Sequence, residues 1–299
     1  MTKNLMASLL LLLSAACVMS AQPGDRRPRS RRMAYQTDTV MVHDPVMACE
    51  RGTYYLLSTG NGLQWATSKD RQSWIVQPTP FVENLPAWTR DSVPGFRSHV
   101  WAPDVIRWHD RWWLAYSCST FGKNSSAIGL MSADRLNGHW RDEGCLVASK
   151  EDRDNWNAID PAFVIDDNDQ LWMAWGSVWF ILKHGGWYYL FVSWDYCCRG
   201  SKSNYRVAVG RSKTVDGPYH DREGKPMTNG GGTLFLEGDK QEFEAVGHCA
   251  AYNMENGETI FICHGYSTRL NGTSILIQRN VTWTADGWPV LANTEGKTK

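Results

Sequence analysis

Short aromatic and β-branched runs recur along the chain, separated by Gly, Asn and Asp residues that favour turns. One unit repeats: an acidic residue, often followed by Pro or Ala, then an apolar strand, a polar turn and an aromatic-rich strand. The second strands of these units are centred on Tyr55, Trp113, Trp172, Tyr189 and Ile260. Five such hairpins predict an all-β fold, a five-bladed β-propeller in which the first strand of each hairpin lies nearest the central axis.

The spacing of the five units is uneven. The steps between successive centres are 58, 59, 17 and 71 residues. A four-stranded blade needs about 40 residues, so the 17-residue step between Trp172 and Tyr189 is too short for one. We therefore expect the third/fourth blade region to be truncated near Trp179-Phe180.

The N-terminus has the pattern of an export signal. Lys3 precedes an apolar run at 9–13, and small residues follow as far as Ala21. This run is too short to span a bilayer, so residues 1–21 are interpreted as a signal peptide. Cys17, preceded by small residues, leaves a lipid anchor as an alternative. The protein is expected to be exported, as a periplasmic, cell-surface lipoprotein or secreted protein.

Composition narrows the class of partner. The formal net charge is zero, and five Arg residues crowd only the stretch 22–38, which is interpreted as a solvated linker. A balanced charge argues against a nucleic-acid partner. Eight Cys, or seven once Cys17 is set aside, do not imply a complete disulfide framework. Residues 39–299 are expected to form a single, monomeric propeller domain.

Two carboxylates stand at equivalent places in the repeat. Asp44 and Asp160 each precede a Pro at the start of a first strand, so both should point into the axial pocket. The chain also has 16 Trp, some of which are expected to stack on sugar rings in a cleft. Converging carboxylates in an aromatic cleft are typical of glycosidic bond cleavage. For either Asp alone, a turn-capping role is the simpler interpretation.

Two further residues lie near the same strand starts. Asp104 is offset by one or two positions from the other two acids, and is expected to orient a strand or contact substrate. His248 begins the fifth unit, where it could ligate an axial cation, contact sugar or be a buried structural histidine. Neither a Ser-His-Asp arrangement nor a His-Glu-x-x-His motif is evident in the sequence.

Several motifs together resemble glycoside hydrolase family 43, and within it the endo-1,5-α-L-arabinanases. The match extends from about residue 40 to 290, and its most specific part is the run beginning at Asp195. The matching motifs are His43-Asp44-Pro45, Trp101-Ala102-Pro103-Asp104, Asn157-Ala158-Ile159-Asp160-Pro161, Trp175-Gly176-Ser177, Ser193-Trp194-Asp195-Tyr196-Cys197-Cys198-Arg199-Gly200, Val209-Gly210-Arg211-Ser212 and Gly247-His248.

The resemblance implies an inverting hydrolysis of α-1,5-L-arabinan or arabino-oligosaccharides. Asp44 matches the general base, and Asp160 matches the carboxylate that modulates the pKa of the acid and orients substrate. His248 matches a histidine that holds an axial cation, often calcium. Four further residues are expected to bind substrate: Asn157 and Ser177 by the resemblance, Trp101 and Trp179 as tryptophans of the cleft.

The general acid of such enzymes is a Glu at the start of the fourth inner strand. Here Val178 and Trp179 stand before Phe180-Ile181-Leu182, and no Glu is present. Glu242 and Glu244 lie before the fifth inner strand, but the resemblance gives neither an acid role. The missing acid and the short step are therefore one defect, and turnover is expected to be impaired. The alternatives are a non-catalytic arabinan-binding propeller, another arabinofuranosidase or xylosidase of the family, and a full-length enzyme whose sequence is recorded with a deletion.

Overall fold

Antiparallel sheets of consecutive strands make up most of the described chain. The computed structural model describes residues 34–176 and 179–292, and only one short α-helix, α1 (Trp88–Ser92), interrupts the strands together with three single 3-10 turns. None of the described helices is long and apolar enough to cross a membrane. The prediction of an all-β fold is confirmed.

The first two sheets each have five strands. In the first, the order is β1-β6-β5-β3-β2, and in the second it is β10-β9-β8-β7-β4. Their strands are β1 (Ala34–Gln36), β2 (Val46–Glu50), β3 (Thr53–Ser58), β4 (Gly60–Asn61), β5 (Gln64–Ser68), β6 (Ser73–Val76), β7 (His99–Trp108), β8 (Arg111–Cys118), β9 (Ser126–Ala133) and β10 (Arg141–Ser149).

The remaining three sheets follow in chain order, with two, four and four strands. Each sheet is built from consecutive antiparallel neighbours, so every hairpin of the sequence repeat opens one sheet. Their strands are β11 (Ala162–Ile165), β12 (Leu171–Ala174), β13 (Trp179–His184), β14 (Trp187–Trp194), β15 (Arg206–Ser212), β16 (Thr233–Glu237), β17 (Phe243–Asn253), β18 (Thr259–Ser267), β19 (Thr273–Trp283) and β20 (Pro289–Leu291).

The first strands of the five sheets form a closed ring. β2 contacts β7, β7 contacts β11, β11 contacts β13, β13 contacts β17, and β17 returns to β2. This is the arrangement expected of the inner strands of a propeller. The molecule is therefore propeller-like, with the start of each inner strand at one mouth of the axis.

The prediction of five blades, with the third/fourth blade region truncated, is corrected to four blades and a separate hairpin. Four sheets are complete blades of four or five strands, whereas the third is only the hairpin β11–β12. Residues 175–178 are all that separates Ala174 from Trp179, and so short a segment cannot hold two outer strands. The expected truncation near Trp179-Phe180 thus falls on the two-stranded sheet and the strand that follows it.

The second strand of each complete blade contributes fully buried residues to the core. Every residue of β18 is buried, and Leu57, Leu114 and Phe191 in the other complete blades are fully buried. Large apolar side chains from neighbouring blades pack against these strands, and each one fully buried contributes about 1.5–3 kcal/mol. β12 differs, because none of its residues is buried and Trp172 is 44% exposed.

The N-terminal boundary of the propeller lies within the stretch assigned to the linker. Ala34–Gln36 pair with β6 as the outermost strand of the first blade, so the linker assignment of 22–38 extends too far. Beyond it, Val42 donates to the Ser274 carbonyl and Leu276 to the Val40 carbonyl, which joins this segment to β19 in the last blade. The predicted signal peptide at 1–21, including Cys17, lies outside the described residues.

Candidate functional site

Four residues occupy equivalent places on the inner strands, and all have left-handed backbone. Asp44 and Asp160 lie two residues before β2 and β11, and Ala102 and His248 lie at irregularities within β7 and β17. These lead residues are Asp44 (φ 53°), Ala102 (φ 34°), Asp160 (φ 54°) and His248 (φ 48°). A non-glycine residue with positive φ is uncommon, and its persistence requires that the surrounding contacts hold it. The repeat therefore places Asp44, Asp160 and His248 at equivalent positions of three inner strands, and it brings the Asp44 carboxylate and the His248 imidazole into contact.

Asp44 is the centre of this cluster. Its Oδ1 lies 2.9 Å from Nδ1 of His248 and 3.0 Å from Nδ1 of His43. Its Oδ2 accepts a 2.6 Å hydrogen bond from the Thr59 hydroxyl. Both carboxylate oxygens are thus held by groups from three different segments of the chain.

These contacts decide the charge of Asp44. Burial alone would raise its pKa, but His248 and His43 outweigh burial and hold the pKa of Asp44 well below its ordinary value. Asp44 itself acts on His248 in the opposite sense: burial would lower the pKa of His248, yet the Asp44 carboxylate raises it. Asp44 is therefore ionised at neutral pH, as a general base must be.

Asp160 has the opposite tendency. Burial, with a smaller contribution from the charge of Asp44, raises the pKa of Asp160 to about 6. Asp160 is therefore the more readily protonated of the two carboxyls. Two acids at one site with pKa values pushed apart are typical of acid–base catalysis.

His264 is buried beside the same cluster and was not identified from the sequence. Its Nδ1 lies 3.2 Å from the Asp44 backbone N–H, which makes Nδ1 the acceptor and places the proton on Nε2, near the Tyr266 hydroxyl. Burial, with a smaller effect from the neighbouring His43, holds the pKa of His264 well below its ordinary value. A neutral imidazole here fixes the backbone of Asp44.

A cation could be held at this cluster. Donor atoms of His43, Asp44 and His264 lie within 4.8 Å of one another. Both ring nitrogens of His264 are engaged, however, so His264 is a poor ligand. His248 uses Nδ1 towards Asp44, which leaves its Nε2 as a possible cation ligand.

Asp104 lies behind the site rather than in it. Its carboxylate accepts hydrogen bonds from the Val105 N–H at 2.9 Å and from the Phe163 N–H at 2.5 Å, so it ties the second inner strand to the third. Burial raises the pKa of Asp104 to about 7, against the opposing effect of these two N–H groups. Of the two roles expected for Asp104, the structure supports the orientation of a strand.

The expected substrate-binding residues fall in different environments. Trp101 is partly exposed, with its indole N–H 3.1 Å from His99 Nδ1. The Asn157 side chain accepts from the Ser149 hydroxyl at 3.2 Å. Trp179 begins β13 and packs against the apolar cluster between the third and fourth sheets. Ser177 lies outside the described residues.

A glutamate does not join the cluster in the described part of the chain. Within residues 34–176 and 179–292, no Glu side chain forms a hydrogen bond or ion pair with Asp44, Asp160 or His248. The Glu244 carboxylate instead lies 3.8 Å from Lys240 Nζ. Among the described residues, these contacts give no support for Glu244 as a replacement acid.

Two more features near the site were not predicted. Cys197 and Cys198 form a disulfide between adjacent residues, and Cys198 Sγ lies 3.6 Å from His43 Nε2. The count of Cys residues could not indicate this pairing, because adjacent cysteines need no partner elsewhere in the fold. The Tyr205 ring packs so close to Gly247 that a Cβ there would lie 2.2 Å from it, which requires glycine before His248.

Comparison with known proteins agrees with this geometry. Residues 39–181 and 179–289 match the model of glycosyl hydrolases family 43, in two segments that meet where the third sheet is cut short. An extracellular exo-α-(1→5)-L-arabinofuranosidase of Cellvibrio japonicus is 37% identical over 307 residues, covering 86% of this chain and 88% of the relative. An extracellular endo-α-(1→5)-L-arabinanase of Bacillus subtilis is 35% identical, covering 83% and 87%.

Solved structures give the same picture. An exo-1,5-α-L-arabinanase from a bovine ruminal metagenomic library has a TM-score of 0.83 at 39% identity, covering 85% of this chain and 97% of that one. The α-L-arabinanase of Cellvibrio cellulosa in complex with arabinohexaose has a TM-score of 0.81 at 35% identity, covering 86% and 96%.

Proposed function

The chain belongs to glycosyl hydrolase family 43, and we propose that it hydrolyses α-1,5-linked L-arabinan by inversion, with Asp44 as general base and with turnover impaired by the lack of a general acid. The carrying observation is the Asp44 carboxylate, held ionised between His43, His248 and Thr59 at the axial mouth. The arabinan-directed names of its relatives support the choice of substrate.

The proposed reaction is a single displacement. Asp44 takes a proton from a water molecule, whose oxygen attacks the anomeric carbon as the bond to the leaving oxygen breaks. Asp160, beside Asp44, modulates the site and orients the sugar, while Asn157, Ser177, Trp101 and Trp179 contact the arabinan. The first-formed sugar has the β configuration at its anomeric carbon.

The departure of the leaving oxygen is the step that the lack of a general acid affects. In arabinan it departs as an alkoxide, which needs a proton as the bond breaks, and a positioned acid contributes about 10²–10⁴-fold. Without that acid the proton must come from solvent water. An aryl leaving group such as dinitrophenolate needs no proton and bypasses the defect.

Two further features belong to the proposal. His248 would hold an axial cation, calcium being the expected ion, through its Nε2; the cation would supply positive charge beside Asp44 and Asp160. The protein is exported, either free or anchored at Cys17, and acts as a monomer. The extracellular relatives support export.

The test is hydrolysis of 2,4-dinitrophenyl α-1,5-L-arabinotrioside, followed by proton NMR of the first-formed sugar. We expect turnover with the β-anomer appearing first, and loss of turnover in Asp44→Asn but not in Asp91→Asn, the same change at an exposed position in α1. Formation of the α-anomer first would overturn inversion. Tight arabinotriose binding with no dinitrophenolate release would instead indicate a binding protein.

A further inference from the structure

The lead residues share a backbone contact that crosses from blade to blade. In each case the N–H of the lead residue donates to a side chain at the end of the second strand of the preceding sheet. We call these four side chains the latch residues. The bonds are Asp44 N–H to His264 Nδ1 (3.2 Å), Ala102 N–H to Thr59 Oγ1 (2.9 Å), Asp160 N–H to Ser117 Oγ (3.0 Å) and His248 N–H to Ser193 Oγ (3.0 Å).

The contact explains how the lead residues keep positive φ. A left-handed non-glycine residue costs of order 1–3 kcal/mol, so it needs a specific contact to persist. The latch residue supplies a side-chain acceptor for the backbone N–H of the lead residue. Three of the four acceptors are hydroxyls and the fourth is an imidazole nitrogen, all of them side chains rather than backbone carbonyls.

Thr59 differs from the other latch residues because its hydroxyl also donates a hydrogen bond to the lead residue of its own blade. Its oxygen accepts from the Ala102 N–H, so its proton is free to be donated, and the acceptor 2.6 Å away is Asp44 Oδ2. The two bonds use the hydroxyl in opposite senses, which fixes its proton on the Asp44 side. Thr59 therefore connects the Asp44 carboxylate to the inner strand of the second blade through two hydrogen bonds.

We propose that Thr59 is a positioning residue for the reaction, holding the Asp44 carboxylate in the orientation from which it takes a proton from water. His264 fixes the backbone of Asp44 and Thr59 fixes its side chain, so the base is held at both ends. The role rests on the proposed function of Asp44. It concerns orientation, since a misplacement of about 1 Å at a reacting group costs about 10²-fold in rate.

The test compares Thr59→Val with Thr59→Ser, using the dinitrophenyl arabinotrioside. Val keeps the shape of Thr but has no hydroxyl, while Ser keeps the hydroxyl. We expect kcat to fall about 10- to 100-fold in Thr59→Val with KM within about twofold, and to return to within about threefold of wild type in Thr59→Ser. The control is Thr53→Val, the same change at the other end of β3, where activity should be unchanged.

Crystal structures of the two variants give a readout that does not depend on turnover. We expect the Asp44 carboxylate to rotate away from position 59 in Thr59→Val, with its backbone still bonded to His264, and to stay in place in Thr59→Ser. Equal kcat in the two variants, or an unmoved carboxylate in Thr59→Val, would overturn the proposal. If wild-type protein does not cleave the aryl substrate, the proposed function fails, and the carboxylate position alone decides the role of Thr59.

Discussion

At the scale of single residues, the ionisation of each carboxylate in the site depends on the groups around it. Asp44 and Asp160 stand at equivalent places in two blades, yet the pKa of the first is held low by two histidines and the pKa of the second is raised to about 6 by burial. The sequence could predict both carboxylates, because the repeat register places them at one mouth. It could not predict their different ionisation, which depends on contacts such as that of Asp44 with His248, more than 200 positions further along the chain.

Replacement of the base has a specific consequence. Asp44→Asn should lower kcat for the dinitrophenyl arabinotrioside by about 10²–10⁴-fold, because water is no longer deprotonated as it attacks. Added sodium azide should restore release of dinitrophenolate, since azide attacks without losing a proton and yields the β-arabinofuranosyl azide. The measurement is the release rate with and without azide, with Asp91→Asn as the matched control. Failure of azide to raise the rate would show that Asp44 has another role.

The titration of Asp104 should make the free energy of unfolding depend on pH. Its pKa is raised to about 7 in the folded protein, so between about pH 4 and 7 the folded state binds more protons than the unfolded state. The free energy of unfolding should therefore fall as pH rises through this range, by at most a few kcal/mol, and level off above it.

The matched variant for this dependence is Asp104→Asn, which removes the titrating group. We expect its free energy of unfolding, measured by urea denaturation from pH 4 to 8, to vary less with pH than that of wild type. The side chain of Asn offers one acceptor where two N–H groups need one, so the variant should also be less stable at pH 4. If the free energy of unfolding varied equally with pH in both proteins, the pH dependence could not be assigned to Asp104.

At the scale of the elements, the third sheet is the exception. The 17-residue step in the sequence predicted a loss of strands there, and the hairpin β11–β12 is what remains. Spacing could reveal this because it needs only the lengths of the units. The pairing of β1 with β6 could not be predicted, since a three-residue edge strand after a basic stretch has no sequence signal of its own.

The half-exposed strand β12 should make the protein prone to aggregation. An unpaired strand edge with an exposed tryptophan is a template for pairing with another chain. Trp172→Lys should slow aggregation during heating several-fold, as measured by light scattering, because a charge on an edge strand opposes pairing. Phe121→Lys, in a loop where the side chain is 77% exposed, should have a smaller effect. Equal protection by both variants would mean that hydrophobicity alone is responsible.

At the scale of the whole molecule, the sequence predicted the propeller architecture but not the contacts that join the N-terminal segment to the last blade. Repeating hairpins indicated a propeller, but the joining of Val40 and Val42 to β19 depends on residues more than 200 positions apart. The latch residues were missed for the same reason. Ser117, for example, looks like an ordinary strand serine until Asp160 is placed beside it.

An axial cation would link the blades through His248. If it is bound, EDTA should lower the melting temperature by several degrees and excess CaCl₂ should restore it, because a ligand that binds only the folded state stabilises it. His248→Gln should have a lower melting temperature that EDTA does not change. A wild-type melting temperature insensitive to EDTA and to calcium would remove the cation from the proposal.

The central claim is that this propeller retains its base and lacks its acid. It is tested most directly by kcat/KM for a series of aryl α-1,5-L-arabinotriosides whose leaving groups have pKa values from about 4 to about 10. Without an acid, the leaving group departs unprotonated, so the rate should fall steeply as its pKa rises and be lowest for arabinan itself. A rate that is nearly independent of leaving-group pKa would show that an acid acts at the site and would contradict the claim.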